Sequence, residues 1–144
     1  MKNVILGTVN RHCKAVLVWN LMLDEKMGPN LDGGCQTCYG AVDIASDYKT
    51  LHRNSHYYII SHISSVVRPG AVRIEDSSRS AHIKDVDYAT FRNPDSTYGI
   101  VLANSGGHDQ MITVSNGAYN FQVTVPAEGV VSCIWNPSVT SKKD

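Results

Sequence analysis

Several residue groups in this 144-residue chain have types and spacings that could do chemistry. An apolar run, Ala15-Val16-Leu17-Val18, ends in Trp19-Asn20-Leu21, and the adjacent carboxylates Asp24 and Glu25 follow. An aromatic and an amide at the C-terminal end of an apolar strand stand where barrel enzymes place substrate contacts. Asp24 and Glu25 could pass for an acid/base pair, but adjacent residues rarely converge on one substrate bond. A solvated loop is their expected role. His52 and His56 have the four-residue spacing of a two-histidine metal set on a helix. No Glu follows His52 and no third ligand is evident, so a solvent-facing pair is expected. His62 is expected to hydrogen-bond backbone or pack at a domain junction. There is no Gly-x-Ser-x-Gly elbow and no Gly-rich phosphate loop, so neither a hydrolase triad nor a nucleotide site is supported.

Cys35-x-x-Cys38 admits four readings: a redox pair, half a zinc site, a tight disulfide, or two loop thiols. Zinc needs about four ligands, and only Cys13 and Cys133 remain, both in distant segments. A thioredoxin-like pair should open a helix after a strand. Here Gly33-Gly34 and Tyr39-Gly40 flank the pair and read as loop.

The elements that must position these residues change character near Pro69-Gly70. Before it, Val4 to His12 reads as the end of a helix and Lys14 to Leu21 as a strand. Its continuous apolar character predicts burial on both faces. A long loop runs from Asp24 to Tyr39, and loops of that length inside compact domains are functional or disordered. Ala41 to Ile44 is a short strand. Thr50 to Val67 reads as a helix, with Leu51, Ser55, Tyr58, Ile59, Ile63 and Val66 near one face. Arg68-Pro69-Gly70 stops it. After Gly70 the period falls from 3.6 to 2. Strands are predicted at 71–74, 86–92, 98–104, 110–115, 118–125 and 130–135, with Asn116-Gly117 as a hairpin signal. Tyr119, Phe121, Val123 and Val125 share one side of their strand. Short strands at such intervals indicate an antiparallel sandwich.

Composition narrows the function. Hydrophobic residues make up 42% and charged residues 18%, a globular balance. With 13 basic and 13 acidic residues the net charge is zero, which disfavours phosphate-driven nucleic-acid binding. No apolar run approaches the roughly 20 residues of a membrane span. The first residues turn polar too soon for a secretory signal.

The order of motifs resembles a known family. A strand ends in Trp19-Asn20-Leu21, a Gly-Pro-Asn loop follows at 28–30, and a Gly-Gly-Cys-x-x-Cys segment at 33–38. Val42-Asp43-Ile44 comes next, then a helix ending in Ser61-His62-Ile63-Ser64-Ser65-Val66-Val67-Arg68-Pro69-Gly70, then the sandwich. This resembles the C-terminal part of glycoside hydrolase family 30, the family of lysosomal glucosylceramidase and of bacterial and fungal β-1,6-glucanases. The resemblance implies a mainly β chain. Its antiparallel β-sandwich, 70–144, would be preceded by the last strand-loop-helix unit of an (α/β)8 barrel within 1–69. It implies a retaining β-glycosidase with two catalytic glutamates roughly 5–5.5 Å apart, both on earlier barrel strands and so upstream of Met1.

On this reading the chain holds no catalytic residue, no metal and no cofactor, and alone it is inactive. Asn20 matches the family's asparagine beside the scissile bond, and its amide can donate to and accept from sugar hydroxyls. Trp19 is carried over as a second substrate contact, although neighbours on a strand point opposite ways. The Cys35/Cys38 pair takes a loop-stabilising role. The implied partner is a carbohydrate, a β-glucoside or β-glucan. The family occurs in secreted, periplasmic and lysosomal settings, so the compartment stays open. The orphan strand would make the isolated chain self-associate. A rival reading is a non-catalytic β-sandwich module that binds carbohydrate or protein through Tyr88, Tyr98 and Tyr119. Those tyrosines could equally be sandwich core, Tyr119 above all.

Overall fold

A computed structural model of the chain describes residues 1–75, 83–116 and 119–136. In chain order its elements begin with a helical segment, π-helical over Lys2–Leu6 and α-helical over Gly7–Val9 (α1). Three short strands follow: β1 (Met22–Asp24), β2 (Val42–Ile44) and β3 (Leu51–Arg53). Helix α2 (Ser55–Val66) leads to β4 (Val72–Ile74), β5 (Val86–Arg92) and β6 (Tyr98–Asn104). The chain closes with β7 (Gln110–Ser115), β8 (Asn120–Val125) and β9 (Val130–Trp135). Two compact units result, one of residues 1–15 with 62–144 and one of residues 16–61.

The first unit is built on an antiparallel sheet of order β4-β5-β6-β9, with β7 and β8 paired as a separate hairpin. Alternation along the strands sends side chains to two cores. Ala89, Phe91, Val101 and Ala103 pack on one face with Leu6 and Val66 from the helical segments. Val86, Ile100 and Leu102 pack on the other with Ile112 and Val125 from the hairpin. Strand β6 is therefore covered on both sides, and Gly99 to Asn104 are all buried. Complete burial of side chains such as Val101 and Leu102 is worth about 1.5–3 kcal/mol each.

Two buried asparagines pin the ends of this sheet. Asn93 Nδ2 donates to the Val66 carbonyl at 3.0 Å, and its Oδ1 accepts from Arg68 N–H at 2.9 Å. It thereby satisfies a carbonyl that the end of α2 would otherwise leave bare. Gly99 admits the same carbonyl, because a Cβ there would collide with it. At the far end, Asn104 Nδ2 reaches the carbonyls of His108, Val125 and Pro126 at 2.8, 3.2 and 3.1 Å.

The second unit holds a three-stranded sheet of order β1-β2-β3, parallel between β1 and β2 and antiparallel between β2 and β3.

Several expectations shift. The strand expected over 14–21 is not formed, and β1 begins only at Met22. Nor is the run buried on both faces: positions 15, 17, 19 and 21 are exposed, while 16, 18 and 20 are half-buried. The carbonyls of residues 20 and 21 accept from the backbone N–H groups of Ala41 and Val42. The helix starts at Ser55 rather than Thr50, because Leu51–Arg53 pairs antiparallel with β2 instead. On the expected helix face Val66 is buried and Ile59 and Ile63 half-buried, but Tyr58 is exposed. Tyr119 is exposed rather than core, while Tyr88 and Tyr98 are half-buried. Gly117, of the Asn-Gly hairpin signal, lies outside the described residues, but the register Ser115↔Asn120 closes the hairpin it predicts. Among the described residues no helix is long and apolar enough to cross a membrane.

Candidate functional site

The sequence-predicted contacts lie in the unit of residues 16–61. Trp19 is 72% exposed, and its peptide bond to Asn20 is cis. Asn20 is half-buried, and its Oδ1 is enclosed without a hydrogen-bond donor. The Asn20 carbonyl accepts Ala41 N–H at 2.8 Å, and the Leu21 carbonyl accepts Val42 N–H at 3.1 Å. The chain thus leaves Asn20, makes β1, and returns beside Asn20 at Ala41, seventeen residues after Asp24. Both ends of the long loop are anchored at the candidate contact, the closed-end form of surface loops that often carry function.

Polar contacts organise that loop. Asp24 Oδ1 accepts from the backbone N–H of Lys26 and Gly28 at 2.8 and 2.7 Å. Glu25 Oε2 accepts from Ser46 N–H at 3.2 Å. Both carboxylates are therefore engaged with backbone, and they do not form an acid/base pair. Asn30 Nδ2 reaches the Met27 and Cys35 carbonyls at 3.3 and 3.4 Å, and Gln36 Nε2 donates to Asn30 Oδ1 at 3.0 Å. Of the four readings of Cys35 and Cys38, the structure takes the disulfide. It closes a tight ring at the far end of the loop.

Behind the return segment stands Asn54, which sequence reasoning missed. Its Nδ2 donates to the Gly40 carbonyl at 2.9 Å and to Asp43 Oδ2 at 2.7 Å, and its own N–H reaches the Ala41 carbonyl at 3.0 Å. The available signal was an Asn immediately before a helix start. That signal was masked because the helix was expected to begin five residues earlier, at Thr50. Gly40 itself sits where a Cβ would run into Leu23 N and the Val42 carbonyl. The close approach of β1 and the return segment requires glycine there.

The histidines do not form a metal set. His52 lies on β3 and His56 on α2, so they do not share a helix, and His56 Nε2 is enclosed without a partner. Among the described residues no three His, Cys, Asp or Glu side chains are grouped to hold a metal. In the other unit His62 Nδ1 meets Ser132 Oγ at 3.0 Å. Of the free cysteines, Cys13 is exposed and Cys133 half-buried, and burial pushes the Cys133 thiol up. In the loop before β3, Asp47 accepts the Thr50 hydroxyl at 2.6 Å and the Thr50 and Lys49 N–H groups at 2.8 Å. Led by the Thr50 hydroxyl, these bonds lower its carboxyl from 3.8 to about 2. At the β5–β6 turn, bonds from the Thr97 hydroxyl and N–H hold Asp95 below the usual carboxylate range.

Residues 70–133 match the glycosyl hydrolase family 30 β-sandwich domain. Over those residues the chain carries a glycosyl hydrolase family 30 β-sandwich domain. Similarity extends past that domain. The endo-1,6-β-D-glucanase neg1 of Aspergillus fumigatus is 28% identical over 133 residues, 90% of this chain and 27% of the relative. The endo-1,6-β-D-glucanase BGN16.3 of Trichoderma harzianum is 26% identical over the same share of each. Among solved structures, the endo-β1,6-glucanase BT3312 superposes with a TM-score of 0.86 and 54% identity, over 92% of this chain and 29% of that one. SrfJ from Salmonella typhimurium gives a TM-score of 0.74 at 28% identity, over 83% and 26%. The chain spans less than a third of the length of each of these proteins.

Proposed function

We propose that this chain is the C-terminal part of a retaining β-glycosidase that cleaves β-1,6-linked glucan, with residues 1–69 completing a barrel and 70–144 forming its sandwich. The similarity to BT3312 at 54% identity over 92% of the chain carries this reading, because that share extends well beyond the sandwich residues 70–144. It favours a β-glucanase over a glucosylceramidase substrate.

Retention needs a nucleophile and an acid/base carboxyl roughly 5–5.5 Å apart. The chain's three glutamates have other places: Glu25 holds Ser46 N–H, Glu75 pairs with Arg73, and Glu128 lies between β8 and β9. The catalytic pair therefore comes from outside residues 1–144. Asn20 orients the sugar through its amide, and the exposed Trp19 ring offers an apolar face for stacking. Orientation without nucleophile or acid breaks no bond, so the chain alone is inactive. The exposed apolar run 15–21 favours self-association of the isolated chain.

The test replaces the matching 29% of BT3312 with this chain and measures β-1,6-glucan hydrolysis. The chimera is expected to be active, Asn20→Ala to lower kcat/KM at least tenfold, and the 144-residue chain by itself to give no turnover. Turnover by the chain alone would place the chemistry within it and overturn the reading. Full activity of the Asn20→Ala chimera would remove Asn20 from the site.

A further inference from the structure

We infer that Asn54 is a positioning residue for the substrate contact at Asn20. The inference deepens the glycosidase reading and rests on it. Asn54 grips the return segment at two successive carbonyls, Gly40 through its side chain at 2.9 Å and Ala41 through its N–H at 3.0 Å. Ala41 in turn donates its N–H to the Asn20 carbonyl at 2.8 Å. The path from Asn54 to the backbone of Asn20 is thus two hydrogen bonds and one residue long.

The second Nδ2 hydrogen of Asn54 goes to Asp43 Oδ2 at 2.7 Å, a charge-assisted bond that fixes the amide rotamer. Asp43 pairs with Leu23 in the β1–β2 register, so the anchor belongs to the same small sheet as the contact it serves. Gly40 makes the geometry unforgiving. With Leu23 N and the Val42 carbonyl already crowding the place of a Cβ, the return segment fits against β1 in one position. Asn20 Oδ1 is enclosed and has no internal donor to fix it, so its aim depends on the backbone that carries it. Asn54 occupies the residue before α2, where an Asn side chain ordinarily caps the helix N-terminus, yet its side-chain donors serve the return segment.

The test has two arms. In the 144-residue chain, amide hydrogen exchange and the Asn20 side-chain amide resonances are followed by NMR. Asn54→Ala is expected to speed exchange at Ala41 N–H at least tenfold and to shift the Asn20 resonances, with Val101 in the sandwich unchanged. In the BT3312 chimera, Asn54→Ala is expected to raise KM for β-1,6-glucan about tenfold with kcat within about twofold, the signature of lost binding geometry. Asn54→Asp should be worse, because it faces one carboxylate with another, and adding Asp43→Asn should restore part of the loss. Unmoved Ala41 and Asn20 signals would overturn the inference whatever the activity. An unchanged KM in an active chimera would do the same. A chimera inactive with the unmutated chain would count against the glycosidase reading alone, and the NMR arm would still decide whether Asn54 positions Asn20.

Discussion

The two compact units are held together in different ways. In the sandwich unit, β6 is sealed on both faces, and Val101, Leu102 and Val125 are among its fully buried side chains. In the 16–61 unit the buried apolar side chains among the described residues are Leu23, Ala41 and Val42, while Leu17, Trp19, Leu21 and Leu31 are exposed. Strands of three residues carry few ladder bonds, and polar side chains such as Asp24, Asn30, Asp47 and Asn54, with the disulfide, do the organising. Hydrophobic burial seals a scaffold, whereas a loop organised by polar contacts keeps its side chains reachable from solvent.

The sharpest break between the units should come from two leucine truncations. Leu102→Ala is expected to cost about 3 kcal/mol in urea unfolding, from lost burial and the cavity left behind. Leu17, 96% exposed, should change stability by less than about 0.5 kcal/mol when truncated. Equal costs would mean that the 15–21 run is covered in solution, and the contrast would collapse.

An intermediate effect is expected at the cystine. Opening a ring of sequence separation 3 with Cys35→Ser/Cys38→Ser should cost about 2 kcal/mol, felt locally. Hydrogen exchange should quicken across the 24–40 loop and stay unchanged over β6. Faster exchange in β6 would show that the sandwich depends on the loop.

The smallest effect is a titration. Asp47 titrates at about 2, below its ordinary 3.8, so its contribution to ordering its loop is complete above about pH 4 and is lost as pH falls toward 2. Thr50→Val removes the leading hydrogen bond and should move the carboxyl resonance midpoint upward, toward 3.8. A midpoint that stays near 2 would assign the shift to the backbone N–H donors instead.

Much of the sandwich could be read directly from the chain. The alternation at Val86–Arg92, the two-sided apolar run Tyr98–Asn104 and the spans Gln110–Ser115 and Val130–Trp135 became strands with those limits. Period-2 burial is written locally, so a strand announces its own faces. The resemblance to family 30 was legible too, in the Trp19-Asn20-Leu21 ending, the Cys35-x-x-Cys38 segment and the Pro69-Gly70 junction, and the family's sandwich model matches residues 70–133. Harder to see were features that depend on a distant partner. Leu51–Arg53 left the helix because β2 offered an edge. Tyr119 kept the right parity for the core but sits at the hairpin end, beyond the strand in which Phe121 and Val123 are half-buried and Val125 is buried.

The sequence by itself determined which segments are strands in the sandwich and where the helix ends. Only the tertiary structure decided that Cys35 and Cys38 are bonded, that alternate residues of the 15–21 run are exposed, and that Asn54 braces the return segment at Gly40 and Ala41. The physical reason is one of range. A burial period is set by neighbours along the strand, whereas a disulfide, a covered face and a braced carbonyl each require residues the chain must first fold to bring together.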